Sequence, residues 1–186
     1  MRGQEIEIKV RVGDAGALKA FLLQSAIHLY DQDQYDEYFV PAHRDFLAAT
    51  PTKEWLRLRK ENGSCSINYK NWQYAPGSNI SDYNIEHETK LGDLESARNI
   101  LIALDFKSIC VVDKKRSAYK WNDYEVALDT VKNLGDFVEV EYKSEKEVDP
   151  KETTNKMLEF LKGLNCGEIK RVTKGYPYMI LFGEEK

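Results

Sequence analysis

Cysteine is scarce in this chain, and the few present exclude whole classes of chemistry. Cys65, Cys110 and Cys166 lie far apart and are odd in number, with no Cys-x-x-Cys pair. A disulfide scaffold and a cysteine-rich zinc site are therefore excluded, leaving reduced thiols of the kind expected in a cytoplasmic protein. Histidine is equally sparse: His28 and His43 have no metal-ligand spacing, and His87, between Glu86 and Glu88, points to the opposite face of its strand as packing or surface. No glycine-rich phosphate loop and no Ser-His-Asp arrangement is visible. Positive charge is not in excess, since the net charge is −4, so no global field advertises nucleic acid and any anion site must be built locally. No apolar run is long enough to cross a bilayer and no secretory leader stands before the first strand, so the expectation is a cytoplasmic protein with no membrane partner. What is present is a charged fraction of 31% beside a hydrophobic fraction of 42% over 186 residues, the balance of one globular domain spanning 1–186.

The stretch from Glu5 to Val12 alternates charged and β-branched residues without a break, the period of a strand with one apolar and one ionic face. Two carboxylates, Glu5 and Glu7, share a face with two cations, Lys9 and Arg11. Asp14 caps a helix from Ala15 to Ala26. A tyrosine- and carboxylate-rich strand from Tyr30 to Val40 ends at Pro41, and residues 42–52 read as a loop or short helix. Glu54–Lys60 and Ser64–Lys70 form a hairpin around Asn62-Gly63, a strong turn signal. Residues 71–82 read as a long mobile loop, 85–90 as a strand, and the helix capped near Asp93 runs to Leu104. Strands follow over 108–121, 124–130 and 137–143. Asp149-Pro150 opens a helix that Gly163 stops, and the tail from Arg171 to Phe182 docks or forms a last strand.

Parity sorts the charges. Arg57 and Arg59 share a face, as do Glu86, Glu88 and Lys90; Lys114 and Arg116; Glu125 and Asp129; and Glu139, Glu141 and Lys143. Apolar rows such as Ile6-Ile8-Val10 and Val138-Val140 occupy the opposite faces. Either the charges face water while the sheet packs its apolar side on helices, or the sheet closes and the charges line its lumen. A charged lumen demands counter-ions. Carboxylates from several strands suit a hard metal, and arginines suit phosphate oxygens, so a metal-bound di- or triphosphate would satisfy both.

The ordered set Glu5-x-Glu7-x-Lys9, Arg57-x-Arg59, Lys70, Glu86-x-Glu88, Lys114-x-Arg116, Asp129 and Glu139-x-Glu141 resembles the CYTH superfamily of triphosphate tunnel enzymes. Within it, Asp113–Tyr119 and Leu134–Glu139 are most similar to the class IV adenylyl cyclases of the CyaB type. The resemblance covers essentially the whole chain. It implies an α+β fold, a closed eight-stranded antiparallel tunnel with helices on the outside, acting on a nucleotide or other triphosphate with Mg²⁺ or Mn²⁺. Carried over by position, it assigns metal to Glu5, Glu7 and Glu139, assisted by Asp129 and Glu141. Phosphates fall to Lys9, Arg57, Arg59, Lys70, Lys114 and Arg116, with Glu86 and Glu88 on the substrate-facing wall. Glu5, Glu7, Lys9, Arg116, Asp129 and Glu139 form the implied catalytic set, and a homodimer is implied by the cyclase type. Two departures concern the reaction: the His-Phe dipeptide that some such cyclases carry before the first strand is absent, and the tail reads Pro177–Phe182 where relatives often have Ser-Tyr and a leucine pair.

Three activities follow as expectations. In a cyclase the ribose 3′ hydroxyl of ATP attacks the α-phosphorus and pyrophosphate leaves. In a triphosphatase water attacks the terminal phosphorus of thiamine triphosphate or tripolyphosphate. A non-catalytic organic-phosphate binder would need the cations but fewer carboxylates. Trp72 and Tyr74 are candidates for stacking on a base.

Overall fold

The computed structural model describes residues 4–74, 81–144 and 146–183, with the side chains at positions 4, 5, 81 and 82 also outside the description. Among the described residues the order is β1 (Gln4–Val12), α1 (Ala15–Ser25), β2 (Ile27–Val40), β3 (Glu54–Glu61), β4 (Ser64–Tyr74), β5 (Ser81–Leu91), α2 (Leu94–Ala103), β6 (Lys107–Trp121), β7 (Tyr124–Val131), β8 (Gly135–Tyr142), α3 (Pro150–Gly163), β9 (Ile169–Arg171) and α4 (Tyr176–Phe182).

Hydrogen-bonded neighbours run β5-β4-β3-β2-β6-β7-β8-β1, and β1 pairs back onto β5. Eight antiparallel strands thus close into a barrel, as the resemblance implies. β1 is the closing stave: it pairs β5 over Gln4–Ile6, β8 over Glu7–Val10 and β9 over Val10–Val12. Closure removes the exposed edges an open sheet would carry.

The barrel is inverted relative to one with a greasy interior. The apolar row of β1 packs outward with those of β7 and β8 against Leu18 and Leu22 of α1 and Met157 and Leu161 of α3, all buried. α2 covers Phe39 and Leu58 through Leu101. These helices hold because their first turns are capped: Asp14 accepts from the Gly16 and Ala17 amides at 2.9 and 3.1 Å, and Asp149 from Glu152 at 2.7 Å, with Pro150 pre-set for the first turn. Where these helices cover the apolar rows, the opposite, charged rows face the lumen. The β3–β4 turn places Asn62 and Gly63 at φ 40° and 81°, the left-handed region that an Asn-Gly hairpin supplies at low cost.

Several boundaries differ from expectation. β2 begins at Ile27, because its start pairs with the far end of β6 (Ile27↔Lys120). β4 continues to Tyr74 and β5 begins at Ser81, shortening the expected 71–82 loop; residues 75–80 lie outside the described residues. Residues 42–52 make turns without a helix. α3 runs through Gly163 with Leu164 as its C-cap, and Asn165 follows in the left-handed region at φ 51°. The tail divides: β9 extends the sheet, while Tyr176–Phe182 is helical, packing Tyr176 and Met179 against Val112 and Phe137. No helix among the described residues is long and apolar enough to cross a membrane.

Candidate active site in the tunnel

The lumen is a cavity of about 570 Å³ whose wall takes side chains from β1 to β8 and from the β9–α4 corner. Its cations are held in place before any ligand arrives. On β2, Asp36 is 1% exposed and accepts a fork from Arg59, with Nε at 2.6 Å and Nη2 at 2.7 Å, while Arg57 Nη1 lies at 3.4 Å. Burial alone would raise the Asp36 carboxyl, but Arg57 and Arg59 together outweigh it and hold it well below the usual carboxylate range.

A second cluster surrounds Asp129 on β7, which lies directly opposite Arg116 in register. Lys114 Nζ lies at 3.0 Å, the Arg116 fork at 2.7 and 2.6 Å, and the Tyr176 hydroxyl donates from α4 at 2.9 Å. Arg116 also contacts Glu139, whose other oxygen meets Lys9 Nζ at 3.2 Å. Lys9 Nζ sits 3.9 Å from the centre of the Tyr176 ring, so the α4 tyrosine is clamped between a carboxylate and an ammonium. Burial raises Tyr176 well above its ordinary value, with Glu139 and Asp129 adding to it, so it stays a neutral donor. Burial also works against ionisation of Asp129 and Glu139, yet Lys114 and Arg116 keep Asp129 low, and Arg116 and Lys9 keep Glu139 well below its ordinary value. Lys114 moves the other way: burial and the Arg116 charge lower it to about 8.

A third group spans β1, β4 and β5. Lys70 Nζ lies 3.6 Å from Glu7 and 3.4 Å from Glu86, and Asn68 bridges Glu86 and Glu88, donating to the latter at 2.8 Å.

Of the expected residues, Glu7, Lys9, Arg57, Arg59, Lys70, Glu86, Glu88, Lys114, Arg116, Glu139 and Glu141 all line the cavity. Asp129 stands behind the wall, its oxygens given to Lys114, Arg116 and Tyr176. The Glu5 side chain lies outside the described residues. Arg11 is directed onto the β7–β8 turn instead, donating to the Leu134 and Asp136 carbonyls at 2.8 and 3.0 Å. His87 turns away from the lumen and stacks on Tyr69. Trp72 lines the cavity.

A family model described as the CYTH domain matches residues 3–176. The chain belongs to the CYTH family. A Methanocaldococcus jannaschii protein named as a candidate adenylate cyclase is 34% identical over 174 residues, covering 92% of this chain and 95% of that protein. A Pyrococcus horikoshii structure is 27% identical, covers 93% of this chain and 97% of its own, and superposes with a TM-score of 0.74. A Hippeastrum protein, described as a candidate adenylyl cyclase with a dominant triphosphatase activity, shares the fold at 18% identity and a TM-score of 0.69, covering 98% of this chain and 97% of its own.

In this CYTH chain the carboxylates of β1 and β8 are the set whose chemistry fits a divalent ion. Glu7 and Glu141 are direct cross-strand partners, and Glu139 faces Lys9 on the same pair of strands. Like charges opposite one another repel, and a hard cation shared by their oxygens would relieve that. Among the described residues no three such groups are drawn together as ligands; each carboxylate is held by a lysine or arginine. Sequence reasoning missed Asp36 and Tyr176, the two residues that orient cations from β2 and α4. Asp36 shares the inward face of β2 with Gln34 and Tyr38, a row that residue type alone does not set apart from the outer one.

Proposed function

We propose that this CYTH protein is a metal-dependent enzyme acting on a triphosphate, with cyclisation of ATP to cyclic AMP and pyrophosphate as the first reading. The observation that carries it is the facing of two sets inside one tunnel: cations pre-oriented by Asp36 and Asp129, and the carboxylates Glu7, Glu139 and Glu141. Arg57 and Arg59 present nitrogen donors to phosphate oxygens without a reorganisation cost, because Asp36 already fixes them. Lys114 and Arg116 neutralise charge that develops on a leaving pyrophosphate. Lys9, held by Glu139 and Tyr176, adds a third point of contact. Glu7, Glu139 and Glu141 would hold Mg²⁺ or Mn²⁺, which supplies charge neutralisation and a lowered pKa for an attacking oxygen. The candidate cyclase named among the relatives supports this reading.

Hydrolysis of tripolyphosphate or thiamine triphosphate is the second reading, favoured by the triphosphatase activity described for the Hippeastrum protein of the same fold. Incubation with ATP, thiamine triphosphate and tripolyphosphate, each with Mg²⁺ or Mn²⁺, separates the two by product. Cyclic AMP with pyrophosphate establishes the cyclase; orthophosphate without a cyclic product establishes the hydrolase. Turnover of none of them refutes both.

A further inference from the structure

The wall of the tunnel changes character along β2. Asp36 meets the arginines of β3, whereas the inward positions before it are Gln34 and Gln32, beside Glu61 of β3. Tyr30, one inward position further, donates to Glu125 of β7 at 2.8 Å. Gln34 is 3% exposed, and its amide nitrogen donates to Gln32 Oε1 at 3.2 Å and to Glu61 Oε2 at 2.7 Å. Turning the amide over would set its carbonyl against the Glu61 carboxylate, so its orientation is determined. Gln34 Oε1 is thereby left buried on the cavity wall with no hydrogen-bond partner. Arg57 Nε is buried and unpartnered in the same cavity, with the opposite polarity.

Buried polar atoms are seldom left unmatched, and these two ask for different things. The Arg57 donor suits a phosphate oxygen. The Gln34 acceptor does not, because an ionised phosphate chain offers acceptors and no donors. Glu61 and Glu125, on the same stretch of wall, also repel phosphate and accept hydrogens. What satisfies this end is an O–H or N–H carried by something attached to the phosphates.

We propose that Gln34, set by Gln32 and Glu61, is a specificity-determining residue that accepts a hydroxyl or amino hydrogen from the organic part of a nucleoside triphosphate. It thus favours such substrates over inorganic tripolyphosphate. The proposal rests on the triphosphate reading above and deepens it by naming the residue that distinguishes a nucleoside triphosphate from a bare phosphate chain.

The test is titration, with Mg²⁺ present, of the wild-type protein and Gln34→Met with four ligands. These are ATP, 2′,3′-dideoxy-ATP, purine riboside triphosphate (which lacks the exocyclic amine) and tripolyphosphate. The wild type should bind ATP more tightly than at least one of the two analogues. Gln34→Met should weaken ATP by roughly tenfold and erase that preference, leaving tripolyphosphate unchanged. Equal losses for ATP and tripolyphosphate would overturn the proposal, since Gln34 would then only support the phosphate site. Unchanged ATP binding would overturn it as well, with solvent serving the carbonyl. If the variant does not fold, the wild-type analogue series decides alone: no discrimination refutes the proposal. Tight tripolyphosphate binding without ATP binding sinks the proposal while sparing the triphosphatase reading; binding of neither ligand sinks both.

Discussion

Replacing Asp36 by asparagine removes one negative charge and almost no volume from the point where β2 holds both arginines of β3. Asp36 is 1% exposed and accepts from Arg59 at 2.6 and 2.7 Å and from Arg57 at 3.4 Å. Breaking a buried pair by removing one partner costs about 3–5 kcal/mol, because the other charge stays behind without compensation. Asparagine keeps a carbonyl that can accept one of the guanidinium hydrogens, so about 3 kcal/mol is expected. For a chain of this length that lowers Tm by about 6–12 °C. The same reasoning gives a second, opposite sign: a polyanion in the tunnel now supplies the missing negative charge. Thermal unfolding followed by circular dichroism, with and without tripolyphosphate, reads both effects. The ligand should raise Tm more in Asp36→Asn than in the wild type, while turnover falls because the arginines have lost their positioning. An unchanged Tm, or a ligand shift no larger than that of the wild type, would refute the view that Asp36 compensates and aims the arginine pair.

Lys114 gives a pH signature. Burial and Arg116 lower it to about 8, so its charge is lost as pH rises through that value while the arginines stay charged. The Kd for tripolyphosphate should therefore rise above pH 8 in the wild type and stay flat in Lys114→Arg; identical profiles would contradict the assignment. The linked effect on stability has a definite sign. An unfolded lysine keeps its proton to about pH 10.4, so Lys114 costs stability below pH 8 and the cost shrinks as pH rises toward 10.4. Glu7→Gln should abolish Mg²⁺- or Mn²⁺-dependent turnover with the fold retained by circular dichroism, since it removes a ligand charge without volume; full activity would disprove the metal assignment. Tyr176→Phe removes the hydroxyl that donates to the Asp129 carboxylate but keeps the ring beneath Lys9, so it should cost about 1.5–2 kcal/mol in denaturant unfolding. A loss as large as that of Asp36→Asn would mean the hydroxyl has a further role.

The two-faced strands could be read from β1, β3 and β8 because each alternates cleanly, Ile6, Ile8 and Val10 against Glu7 and Lys9, or Val138 and Val140 against Glu139 and Glu141; that the charged face lines a lumen was implied by the family resemblance, since alternation alone leaves open which face is covered. β2 offers no such contrast. Asp31, Asp33 and Tyr35 on one face are exposed, while Gln34, Asp36 and Tyr38 on the other are buried, yet both rows are polar by residue type. Irregularities in pairing at His28/Tyr30 and Tyr38/Phe39 further blur the period. Asp36 and the Gln34 carbonyl therefore emerged only with the closed barrel. Tyr176 was hidden for another reason: its partner Asp129 is 47 residues away in the chain, and the tail's apolar composition suits strand and helix alike. Asp129 was visible as an inward carboxylate, but its station behind Lys114 and Arg116 depends on side-chain geometry that parity does not carry.

The most direct measurement is a calorimetric titration of tripolyphosphate into the wild-type protein and Glu7→Gln, each with and without Mg²⁺. Expected is saturable binding to the wild type that Mg²⁺ tightens, with the tightening lost in Glu7→Gln. No saturable binding, or binding indifferent to Mg²⁺ in the wild type, would contradict a tunnel built for a metal-bound triphosphate.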